Sequence, residues 1–171
     1  MDDAHAIEKC QNGETDAFRY LVERYQKQAV GHAIAILGVR EDALDAVQDA
    51  FIDAFRSLRS FDRARNFYPW FYVLLRNRCY KSTARRRTTE SIEMVEILAP
   101  QAQVASEELF GLQRALLSLT QEDREIVTLK YLDGLSYEEL AHSLKIPKGT
   151  VMSRLFYARK KLQTLLSGNT N

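Results

Sequence analysis

Cysteine, glycine, proline and histidine are all scarce in this chain: two, seven, three and three residues among 171. Cys10 and Cys79 lie far apart, form no CxxC pair and have no histidine at metal-ligand spacing. That excludes a disulfide scaffold and a zinc module, and a reduced, cytoplasmic chain is expected. So few turn-forming residues exclude a loop-rich β architecture. Long hydrophobic runs are missing too. The least polar stretch, AVGHAIAILG, is too short to span a bilayer, and the acidic start MDDAHAIEK lacks the order of a signal peptide, so no membrane insertion is expected. His5, His32 and His142 are isolated. There is no carboxylate cluster at metal-site spacing, no nucleophile with a matching base and no phosphate-cradling glycine loop, so neither an enzyme nor a cofactor or metal site is expected.

Net charge is nearly absent as well, at a formal +1, which excludes a bulk polyanion binder. The sign is segregated, however. Arg76, Arg78, Lys81, Arg85, Arg86 and Arg87 run without an acid among them. Glu90, Glu93, Glu96, Glu107 and Glu108 follow without a base, and Lys145, Lys148, Arg154, Arg159, Lys160 and Lys161 form a second basic run. Two basic faces on a neutral chain point to two contacts with one polyanion.

What the chain does have is helical periodicity. Phe18, Leu21, Val22, Tyr25, Ala29, Ala33 and Ile36 predict a helix over 15–36. Leu44, Val47, Phe51, Ala54, Phe55 and Leu58 predict one over 40–59 with a single apolar face. A third is predicted from an N-cap at Asn66 to residue 87, with Phe67, Trp70, Phe71, Leu74 and Leu75 inward and Pro69 in the first turn. Residues 88–106 read as an acidic linker. Beyond it, SEELFGLQRALLSL and QEDREIVTLKYLDG look helical; Thr120 and Ser136 stand as N-caps before Asp123 and Glu139, and Gly134 suits a helix end. No segment alternates with period two. The expected fold class is all-α, in two small domains: three helices over 1–87, the linker 88–106, and four helices over 107–171.

The last two helices carry the most specific pattern, LSYEELAHSLKIPKGTVMSRLFYARKKL. Leu140, Ala141 and Leu144 face inward, Ile146 plugs a turn, and Pro147 opens a second helix that buries Val151, Leu155, Ala158 and Leu162. This is a helix-turn-helix pattern. Met152, Ser153, Arg154, Phe156, Tyr157, Arg159 and Lys160 are left outside, a surface suited to the DNA major groove. An ordinary helical hairpin with a solvated basic face is the plainer alternative.

The stretch from Leu119 to Leu162 resembles region 4 of bacterial RNA polymerase sigma factors. DALDAVQDAFIDAFRSLRSFD and FYPWFYVLLRNRCYKSTARRR resemble, in order, the core-binding and promoter-melting helices of region 2. Regions 1 and 3 have no counterpart, as in the small extracytoplasmic-function group. The resemblance implies a transcription initiation factor that binds core RNA polymerase, at its clamp coiled coil and flap, and promoter DNA in both double- and single-stranded form. An anti-sigma factor is a common further partner in that group.

The resemblance also assigns residues. Asp45, Gln48, Asp49 and Ile52 would dock on the clamp. Asp62, Arg63, Arg65 and Asn66 of the loop FDRARN, with Arg76, Asn77, Tyr80 and Lys81 on the following helix, would hold the minus-ten element, cations on the backbone and aromatic or amide groups on unstacked bases. Lys148, Thr150, Met152, Ser153, Arg154, Phe156, Tyr157, Arg159 and Lys160 would bind the minus-thirty-five element. Tyr68 and Tyr72 are left open between core and DNA. The linker glutamates would mimic RNA charge, or form only a solvated tether. This chain departs from the family at Arg63 and Asn66, where prolines are frequent, and at Pro69, where a small residue is usual. Met152 and Tyr157 stand where basic residues are common, so guanine readout is lost there and Met152 is free to touch a thymine methyl. Two rival functions remain: a stand-alone helix-turn-helix regulator, which leaves residues 40–87 without a purpose, and a DNA-acting enzyme, which lacks a catalytic constellation.

Overall fold

The computed structural model describes residues 1–89 and 114–167. They form two compact helical units, one on each side of the intervening stretch. Among the described residues there is no strand, as periodicity predicted. The linker and most of SEELFGLQRALLSL lie outside the described residues.

The first unit has four α-helices rather than the three expected. The additional one, α1 (Asp3–Gln11), begins at Asp2, whose carboxylate accepts a bond from the His5 N–H at 2.8 Å. Only Ala6, Ile7 and Cys10 are buried on it, too few and too small to stand out as a periodic stripe. Helix α2 (Phe18–Leu37) ends at Gly38, whose φ of 74° is the left-handed geometry that glycine adopts without a Cβ penalty. Helix α3 (Arg40–Ser57) and α4 (Phe67–Thr89) complete the unit, and α2, α3 and α4 pack on one another.

The core of this unit is aromatic. Phe71 stacks on Phe51 with centroids 4.4 Å apart, and Phe61 packs against Trp70 at 4.7 Å and Phe67 at 6.2 Å. Such pairs contribute about 0.5–1.5 kcal/mol each beyond area burial. Tyr68 and Tyr72, left open by the sequence, are core: both are buried, with Tyr68 stacked on Tyr25 at 5.2 Å. Trp70 and Leu74, expected inside, are only half-buried at the edge of the cluster.

Helix α3 departs most from expectation. Its fully buried positions are Ala43, Ala50 and Ala54, with Ala46, Val47 and Phe51 close behind. The alanines let neighbouring helices approach closely. Leu44 and Phe55, read as core, are 44% and 41% exposed. The apolar stripe is wider than the arc the neighbours cover.

The second unit opens on a helical turn at residues 114–117, whose carbonyl end is held by Arg124. Its guanidinium donates to the Leu116, Leu117 and Leu119 carbonyls at 3.0, 3.3 and 3.2 Å. Helix α5 (Gln121–Tyr131) is capped by Thr120, which accepts from the Asp123 N–H at 3.2 Å. Gly134, at φ 72°, turns the chain after it. Helix α6 (Tyr137–Leu144) has the full capping box: Ser136 accepts from the Glu139 N–H at 3.2 Å, and the Glu139 carboxylate accepts from the Ser136 N–H at 2.8 Å. Its other end is a Schellman turn, in which Ile146 donates to the Ala141 carbonyl at 3.1 Å and Lys145 to that of His142 at 3.3 Å. Helix α7 (Lys148–Ser167) follows, with Pro147 one residue before it rather than in its first turn. Val151, Leu155 and Ala158 are buried as predicted, and Leu162 is half-buried. On α6 it is Ser143, not Ala141, that is fully enclosed. Both α5 and α6 pack on α7.

Candidate nucleic-acid and partner interfaces

On α3, residues at positions 45, 48, 49 and 52 share the side turned from the alanine stripe. Asp45, Gln48, Asp49 and Ile52 are accordingly all exposed. Beside them lies a feature that the sequence reading missed, an apolar groove of about 640 Å³ along α2 and α3. Phe18, Val22, Val30, Leu44, Ile52 and Phe55 line it. Its signal in the sequence is the pair Leu44 and Phe55 flanking the alanines, which periodicity alone assigns to the core. Large exposed apolar surface of this kind is typical of protein, membrane or ligand contact sites. Gln48 and Ile52 also border the groove, so the acidic face and the groove adjoin.

A second, polar cleft of about 340 Å³ runs between α3 and α4. Asp42, Asp45 and Asp49 stand on its α3 wall, and Arg78, Lys81 and Ser82 on its α4 wall. Arg78 belongs to the basic run, yet it is engaged within the fold. Its Nε and Nη2 donate to the two Asp53 oxygens at 2.6 and 2.7 Å, and its Nη1 to Asp49 at 3.3 Å. The hydrogen bond from Arg78, and then its charge, hold the Asp53 carboxyl below the ordinary range of about 4.

The loop before α4 is ordered by its own polar groups. Asp62 accepts from the Ala64 N–H at 2.9 Å through its side chain, and from Arg65 at 3.0 Å through its carbonyl. Gln11 of α1 donates to the Leu58 and Phe61 carbonyls at 2.9 and 3.0 Å. Phe61 is buried, and residues 62–66 are all exposed. Arg63 is paired with Glu8 of α1 at 2.8 Å, so the unexpected helix steadies this loop. Along α4, Asn77, Tyr80 and Lys81 are exposed, and the half-buried Arg76 lays its guanidinium over the Tyr80 ring, 4.6 Å from the centroid. The loop and the outer face of α4 therefore offer cations, an amide and an aromatic ring on one unit.

In the second unit, Met152, Phe156 and Tyr157 are 55%, 62% and 67% exposed on α7. Ser153, Arg159 and Lys160 are exposed beside them, and Ser153 donates to the Thr150 carbonyl at 3.1 Å. Phe156 and Tyr157 meet edge to face at 5.4 Å. The basic residues at the helix start are less free than their spacing implied. Arg154 is half-buried and pairs with Glu122 of α5 at 2.8 Å, and Lys148 pairs with Glu138 of α6. That hydrogen bond draws the exposed Glu138 carboxyl below its ordinary range. The free centre of the α7 face is thus apolar and hydroxylated, with cations along its edges.

Among the described residues no three His, Cys, Asp or Glu side chains are grouped to hold a metal ion, and no helix is long and apolar enough to cross a membrane. Cys10 and Cys79 are buried thiols in the core, and burial raises the pKa of Cys10.

Comparison with known proteins gives the family. Residues 21–89 match the Sigma-70 region 2 family and residues 109–162 the Sigma-70, region 4 family. The ECF RNA polymerase sigma-E factor of Escherichia coli (strain K12) is 36% identical over 182 residues, covering 95% of this chain and 93% of that protein. The sigma-E factor of Haemophilus influenzae is 32% identical over 179 residues, covering 95% and 94%. Among solved structures, the sigma factor RpoE of Bartonella quintana, in complex with the anti-sigma factor NepR, aligns with a TM-score of 0.75 at 28% identity, covering 89% of this chain and 98% of that one. CnrH, in complex with the cytosolic domain of CnrY, aligns at 0.70 with 26% identity over 98% and 99%. The chain belongs to the ECF group of RNA polymerase sigma factors and is a transcription initiation factor that directs core polymerase to promoters, not a stand-alone regulator.

Proposed function

We propose the following division of labour among its residues. Asp45, Gln48, Asp49 and Ile52 dock on core RNA polymerase, their acids meeting basic side chains of the partner and the adjoining groove taking its apolar ones. Asp62, Arg63, Arg65 and Asn66, with Arg76, Asn77, Tyr80 and Lys81, hold the opened minus-ten strand. Lys148, Thr150, Met152, Ser153, Arg154, Phe156, Tyr157, Arg159 and Lys160 bind the minus-thirty-five duplex. The protein works in the cytoplasm, where the polymerase is, and performs no chemistry of its own. An anti-sigma protein is the natural second partner, since the Bartonella relative is held by one.

The observation that carries the docking assignment is the exposure of all four α3 residues beside an exposed apolar groove in the same unit as the proposed single-strand surface. Electrostatic docking of this kind mainly sets orientation and association rate. Asp45→Arg with Asp49→Arg should abolish association with core polymerase while the chain stays folded, because both side chains point away from the buried stripe and Arg78, which Asp49 also meets, keeps its two bonds to Asp53. Undiminished co-purification of the double variant would refute the docking face.

A further inference from the structure

Arg78 belongs to the basic run on α4, yet it is turned into the fold. Its guanidinium grips both oxygens of Asp53 at 2.6 and 2.7 Å and reaches Asp49 at 3.3 Å. Asp49 and Asp53 lie one helical turn apart on α3, so a single side chain of α4 is fixed at two heights along α3. The bidentate half is also the less exposed half: the Asp53 side chain is 26% accessible, against 56% for Asp49. A planar guanidinium held at two oxygens fixes an angle as well as a distance, which a lysine does not.

The neighbours of this link give it meaning. Asn77 immediately precedes Arg78 and is exposed, and Tyr80 and Lys81 follow within one turn. On α3, Asp45 and Asp49 face the same cleft that Arg78 and Lys81 line from α4. One arginine therefore sits between the face proposed to hold polymerase and the face proposed to hold single-stranded DNA. We propose that Arg78 is a positioning residue, which through Asp53 sets the rotation of the DNA-facing side of α4 on the polymerase-docked α3, with Asp49 shared between Arg78 and the polymerase. Arg78 itself touches no base: the basic run contributes one internal strut as well as DNA contacts. This inference rests on the division of labour above and adds to it a dependence of promoter opening on a pair outside both surfaces.

The experiment uses the full chain assembled with core polymerase. Arg78→Gln, Asp53→Asn and the exchanged pair Asp53→Arg with Arg78→Asp are compared with Asn77→Ala. Association with core, open-complex formation on a duplex promoter, and binding to the same promoter with its minus-ten region already mismatched open are measured for each. Residues coupled through one charged network typically lose a threefold to roughly hundredfold factor when it is cut, and about tenfold is expected here for opening of the duplex. Core association should stay within about twofold of the parent, as expected for residues outside the docking face. The loss on the pre-opened template should be distinctly smaller, and the exchanged pair should recover part of the duplex activity. If both single variants open the duplex like the parent while Asn77→Ala does not, the strut is dispensable and this inference fails alone. If core association falls in step with opening in the single variants and the exchanged pair, the link serves folding rather than positioning, and the inference is likewise overturned. If Asn77→Ala is also without effect on the duplex, the assignment of α4 to the minus-ten strand fails first.

Discussion

Lys145 ends α6 with a φ of 56°, the only left-handed residue other than glycine among those described. That geometry costs an L-residue about 1–2 kcal/mol, while a glycine there loses about 0.5–1 kcal/mol more chain entropy on folding. Lys145→Gly should therefore stabilise the second unit by about 0.5–1 kcal/mol in denaturant unfolding of the full chain; a loss of stability would show that the lysine side chain contributes to the turn. Asp53 yields a second expectation. Its carboxyl titrates lower in the folded protein than in the unfolded chain, so the unfolded state binds the proton first. The stability it adds is complete above the unfolded value of about 4 and is lost as pH falls through the lower folded value. The pair is a quarter to a third exposed, which keeps this contribution modest. Asp53→Asn should flatten the acid limb of the first unit's stability below about pH 4, and an unchanged limb would count against the pair.

At the scale of the element, the helix-turn-helix was the most legible part of the sequence because its signals are local. The Ser136 box, the turn at Lys145 and Ile146, and the Val151, Leu155 and Ala158 stripe are all set within a few residues of one another. Ser136→Ala removes an N-cap acceptor and should lower the second unit's stability by about 1 kcal/mol in the same unfolding measurement. The state of Arg154 was not legible, because its partner, Glu122, lies on another helix. Holoenzyme titrated against single-base variants of the upstream element distinguishes a base-reading cation on α7 from a backbone contact. Lys160→Ala should weaken all sequences alike and shallow the salt dependence by about one unit. Arg154→Ala should alter preference at one position, by about 1–3 kcal/mol. A uniform loss for Arg154→Ala would make it a backbone contact and leave base reading to Ser153, Met152 and Phe156, or to DNA shape.

The whole molecule shows where a linear reading runs out. Chain order and helix type followed from periodicity, and the family resemblance from two segments in sequence. How much of each apolar stripe would be covered did not follow, since that depends on how closely other helices approach. Leu44 and Phe55 became groove walls for this reason. The first helix was invisible because three small or medium side chains suffice to bury it, although it carries the Gln11 and Glu8 contacts that steady the loop before α4. Some of the described cations are engaged within the fold, such as Arg78, while others such as Lys81 and Lys160 stand exposed. The central claim is that one chain both engages the polymerase and selects where it starts. Run-off transcription by purified core polymerase on genomic fragments tests it most directly, with start sites mapped in the presence of the parent chain and of Asp45→Arg with Asp49→Arg. Discrete start sites that require the parent chain and vanish with the double variant are predicted; a parent chain that binds DNA yet leaves core polymerase without defined starts would contradict it.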